Sequence, residues 1–338
     1  MLLPYPYPEL MAIVERKVKP GRLAQNREIR ARYWWRFGET TPALQAAIVG
    51  CERVLAIALT SQFVFCSRVP ATQVFSHSLG VFSREEHLPI LQSQLHGVWA
   101  VFQGSSLEER IRYTPSDCFE TFPFPNALLD SAATDNAHDV IRQILKAVGE
   151  RYHQFRCELM VGNYEGLTST YNRFHDPSET NSGLIELRRL HGEMDQVVLT
   201  AYGWTDVPTA CGFGLDYLDT EEDAQLPDEL QERIDSSKLF FWDANDALDF
   251  QGQLEAYGAI NGRRKLPWRY RWPDAVRDDV LARLLALNAE RYAEEVAQGL
   301  HTKSSKKGSG QAAPGSKRRG RPAKTATSTD TEQIGLAL

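Results

Sequence analysis

Residues 53–82 read RVLAIALTSQFVFCSRVPATQVFSHSLGVF. Four runs within this stretch, Arg53–Leu59, Gln62–Val69, Gln73–Phe75 and Leu79–Phe82, are rich in β-branched and aromatic residues. Thr60-Ser61, Pro70 and Ser76-His77-Ser78 punctuate them. Short runs of this composition broken by turn formers predict strands of a small antiparallel sheet. Upstream, residues 8–19 and 22–36 read as two short helices broken at Pro20-Gly21. The second places Ile29, Tyr33 and Phe37 on one face and turns Arg27 and Arg30 away from it. Downstream, residues 86–103 switch to helical period with Leu91, Leu95, Val98 and Phe102 on one stripe, ahead of the turn-rich segment Tyr113–Pro125.

Beyond Pro125 the pattern is helical. Ile141, Leu145, Val148, Tyr152, Phe155 and Leu159 mark one long amphipathic helix; Leu187, Leu190, Met194, Val197 and Ala201 mark another. A third starts at Pro273-Asp274 with Val276, Val280, Leu284 and Leu287 on its apolar face. Between them, residues 207–272 read as acidic, aromatic and irregular, with Gly212-Phe213-Gly214 expected to serve a turn. From about Thr302 the chain is Lys, Ser, Gly, Pro and Thr, too poor in apolar residues to offset its ordering entropy, and is expected to be disordered. The expected fold class is α+β: a small antiparallel sheet with flanking helices, a mostly helical C-terminal region and a disordered basic tail. The expected division is 1–125, a recognition core; 126–206, a helical scaffold or docking region; 207–302, an acidic irregular segment plus a terminal helix; and 303–338, the tail.

With 338 residues, 42% of them hydrophobic, the chain can bury the core of one or two ordinary domains. It contains no run approaching the roughly 18–20 apolar residues of a membrane-spanning helix. Five widely spaced cysteines without a C-x-x-C pair argue against a disulfide framework or a cysteine zinc site, and the expected compartment is the cytoplasm. Lys plus Arg against Asp plus Glu count 13 against 11 over residues 1–125, 17 against 31 over 126–302 and 8 against 2 over 303–338. Residues 14–36 alone hold eight basic residues against Glu15 and Glu28. Two basic patches flanking an acidic middle suit a polyanionic partner, and equally an ordinary solvated face.

Catalytic signatures are missing. A phosphate-cradling glycine loop and a G-x-S-x-G elbow are both absent, and the eight histidines show no H-x-x-x-H spacing. Glu15-Arg16-Lys17 has the E-x-K form of metal-dependent nucleases, but the upstream Asp such a site needs does not exist, since the first Asp is Asp117. The Pro-Pro-aromatic signature of adenine methylation is absent too: Tyr5-Pro6-Tyr7-Pro8 and Phe122-Pro123-Phe124-Pro125 contain no Pro-Pro step. No catalytic and no metal-ligating residue is therefore assigned.

Several phrases occur in a telling order: Trp34-Trp35-Arg36-Phe37-Gly38; Arg53-Val54-Leu55; Leu91 through Ala100; Arg112 through Pro125; Leu167-Thr168 with Tyr171-Asn172-Arg173-Phe174-His175; and Leu187-Arg188-Arg189-Leu190-His191 through Asp195 to Ala201-Tyr202-Gly203-Trp204. Their order and spacing resemble the carboxy-terminal part of MmeI-like restriction-modification enzymes (type IIL, within type IIG). Leu284-Leu285-Ala286-Leu287-Asn288-Ala289-Glu290-Arg291 resembles that family's late Leu-x-x-Leu-Asn-x-x-Arg ending. In such enzymes a nuclease and an adenine-N6 methyltransferase precede a target recognition domain. The resemblance therefore implies a specificity module that reads double-stranded DNA for restriction-modification or phage defence without catalysis of its own. A separately encoded subunit, a truncated product and a split gene remain open. So does the alternative of a specificity portion for a split methyltransferase active only with a catalytic partner. S-adenosylmethionine and Mg²⁺ are expected only on such a separate or fused methyltransferase or nuclease domain, and no membrane partner is expected.

On that reading Arg22, Arg27, Arg30 and Arg36 are candidates for phosphate contact, because cations on phosphates give affinity and register. Ser61, Gln62, Arg68, Gln73 and His77 are candidates for base readout from a two-stranded ribbon in the major groove: Arg suits guanine, and Gln suits adenine. A plain solvent-facing sheet surface fits the same residues. Trp34, Trp35, Trp99, Tyr113, Phe119 and Phe122 are expected to pack rather than stack on bases, with Tyr113–Pro125 as a strap across the sheet. In the tail, Lys317-Arg318-Arg319-Gly320-Arg321-Pro322 resembles an AT-hook, which implies that Arg319, Gly320 and Arg321 enter a minor groove.

Overall fold

Prolines and glycines cut the start of the chain into short helices. Pro8 opens α1 (Pro8–Lys17) and Pro20 lies in the first turn of α2 (Lys19–Leu23), where a missing N–H goes unmissed. Next come α3 (Glu28–Arg32) and α4 (Pro42–Ala47). None of the four buries a residue. The single helix expected over residues 22–36 is instead interrupted, with α3 starting after an extended Arg27 that makes no side-chain cap, because no buried face holds a longer helix together against its nucleation cost. In this computed structural model the described residues are 7–36, 41–107, 110–129, 136–221, 224–260 and 265–300.

The expected antiparallel sheet forms around β1 (Arg53–Ala58). After β2 (Thr60–Ser61) come β3 (Cys66–Pro70) and β4 (Leu79–Phe82), and the sheet order is β3-β1-β4. Register runs Arg53↔Pro70 to Ile57↔Cys66 on one side and Leu55↔Phe82 to Ala58↔Leu79 on the other. Both neighbours oppose β1, so residues 71–78 must cross from the Arg53 end back to the Ala58 end. The run Gln73–Phe75 belongs to this crossover and is not a strand.

The helical stretch expected over 86–103 breaks at Ser93 into α5 (Leu88–Gln92) and α6 (Gln94–Gln103), whose first turn Ser93 caps through its hydroxyl and the His96 N–H. The break rotates the buried face. Leu91, Leu95, Trp99 and Ala100 are buried, while Phe102 is exposed. Strands β5 (Ser105–Leu107) and β6 (Arg110–Arg112) join β2 in a second sheet, order β2-β6-β5. The segment after it contains α7 (Pro115–Cys118) and is a packed strap. Tyr113 and Phe122 are buried, Phe82 meets Phe119 at 4.3 Å, and His96 Nε2 lies 3.0 Å from the Tyr113 hydroxyl.

Helices α8 (Asn126–Leu129), α9 (Asn136–Asn163), α10 (Leu167–Phe174) and α11 (Ser182–Tyr202) follow. Asn181 caps α11 by accepting from the Gly183 and Leu184 N–H groups, and Gly203, at φ 76°, ends it in the left-handed region that a side chain disfavours. Residues 207–272, expected to be irregular, fold instead into an ordered layer: β7 (Gly212–Leu215), α12 (Asp228–Asp235), β8 (Phe240–Phe241), α13 (Ala244–Ala256) and β9 (Trp268–Arg271). Its sheet is antiparallel with order β8-β7-β9, and it has its own core of Phe213, Leu215, Phe241, Phe250, Leu254 and Trp268. Gly212-Phe213-Gly214 is thus a buried central strand, not a turn. Strands of two and four residues are too short to show a period, which is why this region reads as irregular.

The last helix is α14 (Asp274–Ala297). Its Val280 and Leu284 join Leu55 and Ile57 of β1, Leu91, Leu95 and Trp99, and Val198 and Leu199 of α11 in one core. A second core gathers Phe63, Phe65, Tyr152, Tyr171, Phe174 and Leu187. The compact body ends at 293; residues 294–300 hold the end of α14 and a turn at Gly299. All five cysteines are free thiols. No helix among the described residues is long and apolar enough to cross a membrane.

Candidate nucleic-acid interface

The basic arm keeps its cations outside the cores. Arg27 and Arg36 are exposed, and Arg22 and Arg30 half-buried, on or beside helices that bury nothing. Aromatic rings order part of the arm. Lys19 Nζ sits 4.9 Å from the Trp34 ring and pairs with Glu15 at 2.6 Å, while the Arg36 guanidinium lies 4.9 Å from the Tyr33 ring. Trp34 and Trp35 stack edge-on and stay half-buried in the arm, outside the three cores; Trp99, Tyr113 and Phe122 are core residues.

The five residues expected to read bases do not share one ribbon. Strands β2 and β3 belong to different sheets, and residues 71–78 form the crossover. Ser61 and Gln62 follow the Ala58 end of β1 in the chain and His77 precedes β4 at the same end, where the Leu59 N–H donates to the Ser78 carbonyl at 2.8 Å. His77 is exposed, and Ser61 and Gln62 are half-buried. Gln73, exposed, lies at the opposite end, its N–H on the Pro70 carbonyl. The intervening strand is about 17 Å long at roughly 3.3 Å per residue. Arg68 presents nothing outward. Its side chain is 6% exposed and is held by Glu85 at 3.3 Å and by Glu150. Arg319, Gly320 and Arg321 lie outside the described residues.

A second cationic feature was not apparent from the sequence. In β9 the alternation Trp268-Arg269-Tyr270-Arg271-Trp272 puts both arginines on one face. Their register partners are Gly214 for Arg269 and Gly212 for Arg271, whereas Tyr270 faces Phe213 and Trp268 faces Leu215 on the core side. Gly214 leaves space for the Arg271 side chain, and Gly212 leaves space for the close approach of β8. A Cβ on Gly214 would sit 2.6 Å from the Arg271 guanidinium carbon, and one on Gly212 would sit 2.3 Å from the Phe241 carbonyl oxygen. Arg277, in the first turn of α14, completes the group. These arginines and Gln62 line a cleft of about 660 Å³ and also a narrower recess of about 150 Å³ floored by Tyr171, Phe174 and His175. Burial, then the neighbouring Arg277 charge, holds the Arg271 guanidinium below its ordinary range.

Buried polar bonds fix this cleft to the rest of the molecule. The Gln94 backbone and side-chain amides both donate to Asp195, and its side-chain carbonyl accepts from the Trp272 N–H at 3.0 Å. Arg156, 1% exposed, donates to Gln92 Oε1 at 2.9 Å, the Tyr171 hydroxyl at 3.0 Å and the Cys66 carbonyl at 2.8 Å. His191 bonds the Gln92 carbonyl and lies 3.4 Å from Asp195. Burial works against its charge, but the Asp195 carboxylate outweighs that and raises its pKa. Burial drives Cys66 up to about 12 and His96 down to about 3, so neither is poised for chemistry near neutrality. Among the described residues no three His, Cys, Asp or Glu side chains converge as a metal site. The phrases Leu91–Ala100 and Leu187–Asp195 thus carry the bonds that join the layers.

The chain matches no family model and no curated protein. Among solved structures it is similar to the type IIL restriction-modification enzyme MmeI in complex with DNA, at 20% identity and a TM-score of 0.41. The likeness covers 58% of this chain and 24% of that one, so the chain spans about a quarter of the length of the structure it matches.

Proposed function

We propose that this chain binds double-stranded DNA and reads its sequence as the target-recognition part of a restriction-modification system, with bond-breaking and methyl transfer performed by a separate or fused catalytic domain. One observation carries the reading: residues 14–36 hold eight cations against two carboxylates, on helices that bury no residue and so leave the charges accessible to a polyanion. Arg22, Arg27, Arg30 and Arg36 bind phosphates. Ser61 and Gln62, just after β1, and His77, just before β4, offer polar groups to base edges; Gln73 and Arg68 are set apart from them. S-adenosylmethionine and Mg²⁺ belong to the catalytic domain.

Gel-shift selection from random duplexes tests the sequence-reading part. A flat preference at physiological salt defeats it. Salt titration tests the arm: replacing its four arginines together by glutamine flattens the slope of log affinity against log salt by about 3 to 4, at roughly 0.9 for each phosphate no longer neutralised.

A further inference from the structure

We propose that the cleft walled by Arg269, Arg271 and Arg277 binds the phosphate group of a phosphate ester, as an anion site distinct from the basic arm. The charge count of its described lining supports this. Asp216 holds Arg269 at 2.9 Å, while Asp274 is shared by Arg271 at 2.8 Å and Arg277 at 3.3 Å. Three guanidinium groups minus two carboxylates leave one positive charge. One donor is also unmet: Arg271 is 9% exposed and its Nη1 bonds Asp274 and the Trp272 carbonyl, but among the described residues its buried Nε has no acceptor. A buried donor left without an acceptor is costly, and a phosphate oxygen is the kind of acceptor that suits a guanidinium group. The strand itself is shaped to seat this arginine, since Gly214 leaves the room that the Arg271 guanidinium fills. At about 660 Å³ the cleft is far larger than one phosphate ion, which points to an ester with its attached groups. Gln62, which also lines the cleft, supplies a neutral amide for those groups.

The phosphate could come from a nucleic-acid backbone or from a small phosphorylated molecule. The backbone source rests on the DNA-binding reading above; the site does not. The test titrates the full chain with inorganic phosphate by calorimetry, beside Arg277→Gln, Arg271→Lys and the fourfold arm variant, with circular dichroism to check each fold. The expected result is one phosphate site, weakened about tenfold or more by Arg277→Gln and unchanged in the arm variant. Arg271→Lys keeps the charge but loses the fork, and it too weakens binding. No phosphate binding at millimolar concentration, or equal binding in wild type and Arg277→Gln, overturns the proposal.

Competition then separates the sources. A short duplex that displaces inorganic phosphate and loses about one unit of salt slope in Arg277→Gln identifies the backbone. A 5′-mononucleotide that displaces it when the duplex does not identifies a free ester. If phosphate binds as expected but no duplex binds anywhere, the DNA reading falls and the site stands. If a duplex binds through the arm while phosphate ignores Arg277→Gln, the reverse holds.

Discussion

At the scale of single residues, the buried polar groups make the sharpest predictions. His87 and His96 are buried, and burial lowers their pKa values to about 4 and about 3. The unfolded chain takes up protons at these positions below the ordinary value near 6.5, and the native state does not. Their contribution is therefore intact above pH 6.5 and is lost as the pH falls towards 4, by up to about 1.4 kcal/mol per pH unit for each. His191, with its raised pKa, acts in the opposite sense and only at higher pH. Urea midpoints measured from pH 7 to 4.5 should fall, and His96→Gln should make that dependence shallower. Arg156→Met fills similar space but strips donors from Gln92, Tyr171 and the Cys66 carbonyl, and should cost roughly 3 kcal/mol or more in urea denaturation.

At the scale of elements, the Gly-x-Gly strand β7 predicts two unequal outcomes. Gly212→Ala drives a Cβ against the β8 backbone, which cannot move without breaking the ladder, and should cost about 1–3 kcal/mol. Gly214→Ala meets only the end of the Arg271 side chain. It should cost less in thermal denaturation, while displacing Arg271 and weakening phosphate binding. The first sheet was legible in the sequence because Val54, Leu55, Ala56 and Ile57 form an unbroken buried run with turn formers on either side. The helices α9, α11 and α14 were legible for the matching reason, a long stripe at helical period. Arg269 and Arg271 were not. Their alternation with Trp268, Tyr270 and Trp272 is visible in the sequence, but what makes them interesting is their shortage of carboxylates, and that depends on where folding places Asp216 and Asp274.

At the scale of the whole molecule, the basic arm and the packed body separate cleanly in energetic terms. A chain lacking residues 1–36 should keep its urea stability within about 1 kcal/mol, because α1, α2 and α3 bury nothing, yet lose most of its salt-sensitive affinity for duplex DNA. A large fall in stability would show that the arm is a structural brace. The body behaves differently. The core around β1 is completed by Val280 and Leu284, and the Trp272 N–H reaches back to Gln94 across 178 positions. During synthesis at about 5–20 residues per second, β1 and α6 therefore leave the ribosome well before α14, and the core around Leu55, Leu95 and Trp99 waits roughly ten seconds or more for Val280 and Leu284 to complete it. Chaperone demand should accordingly peak on nascent chains that end before α14.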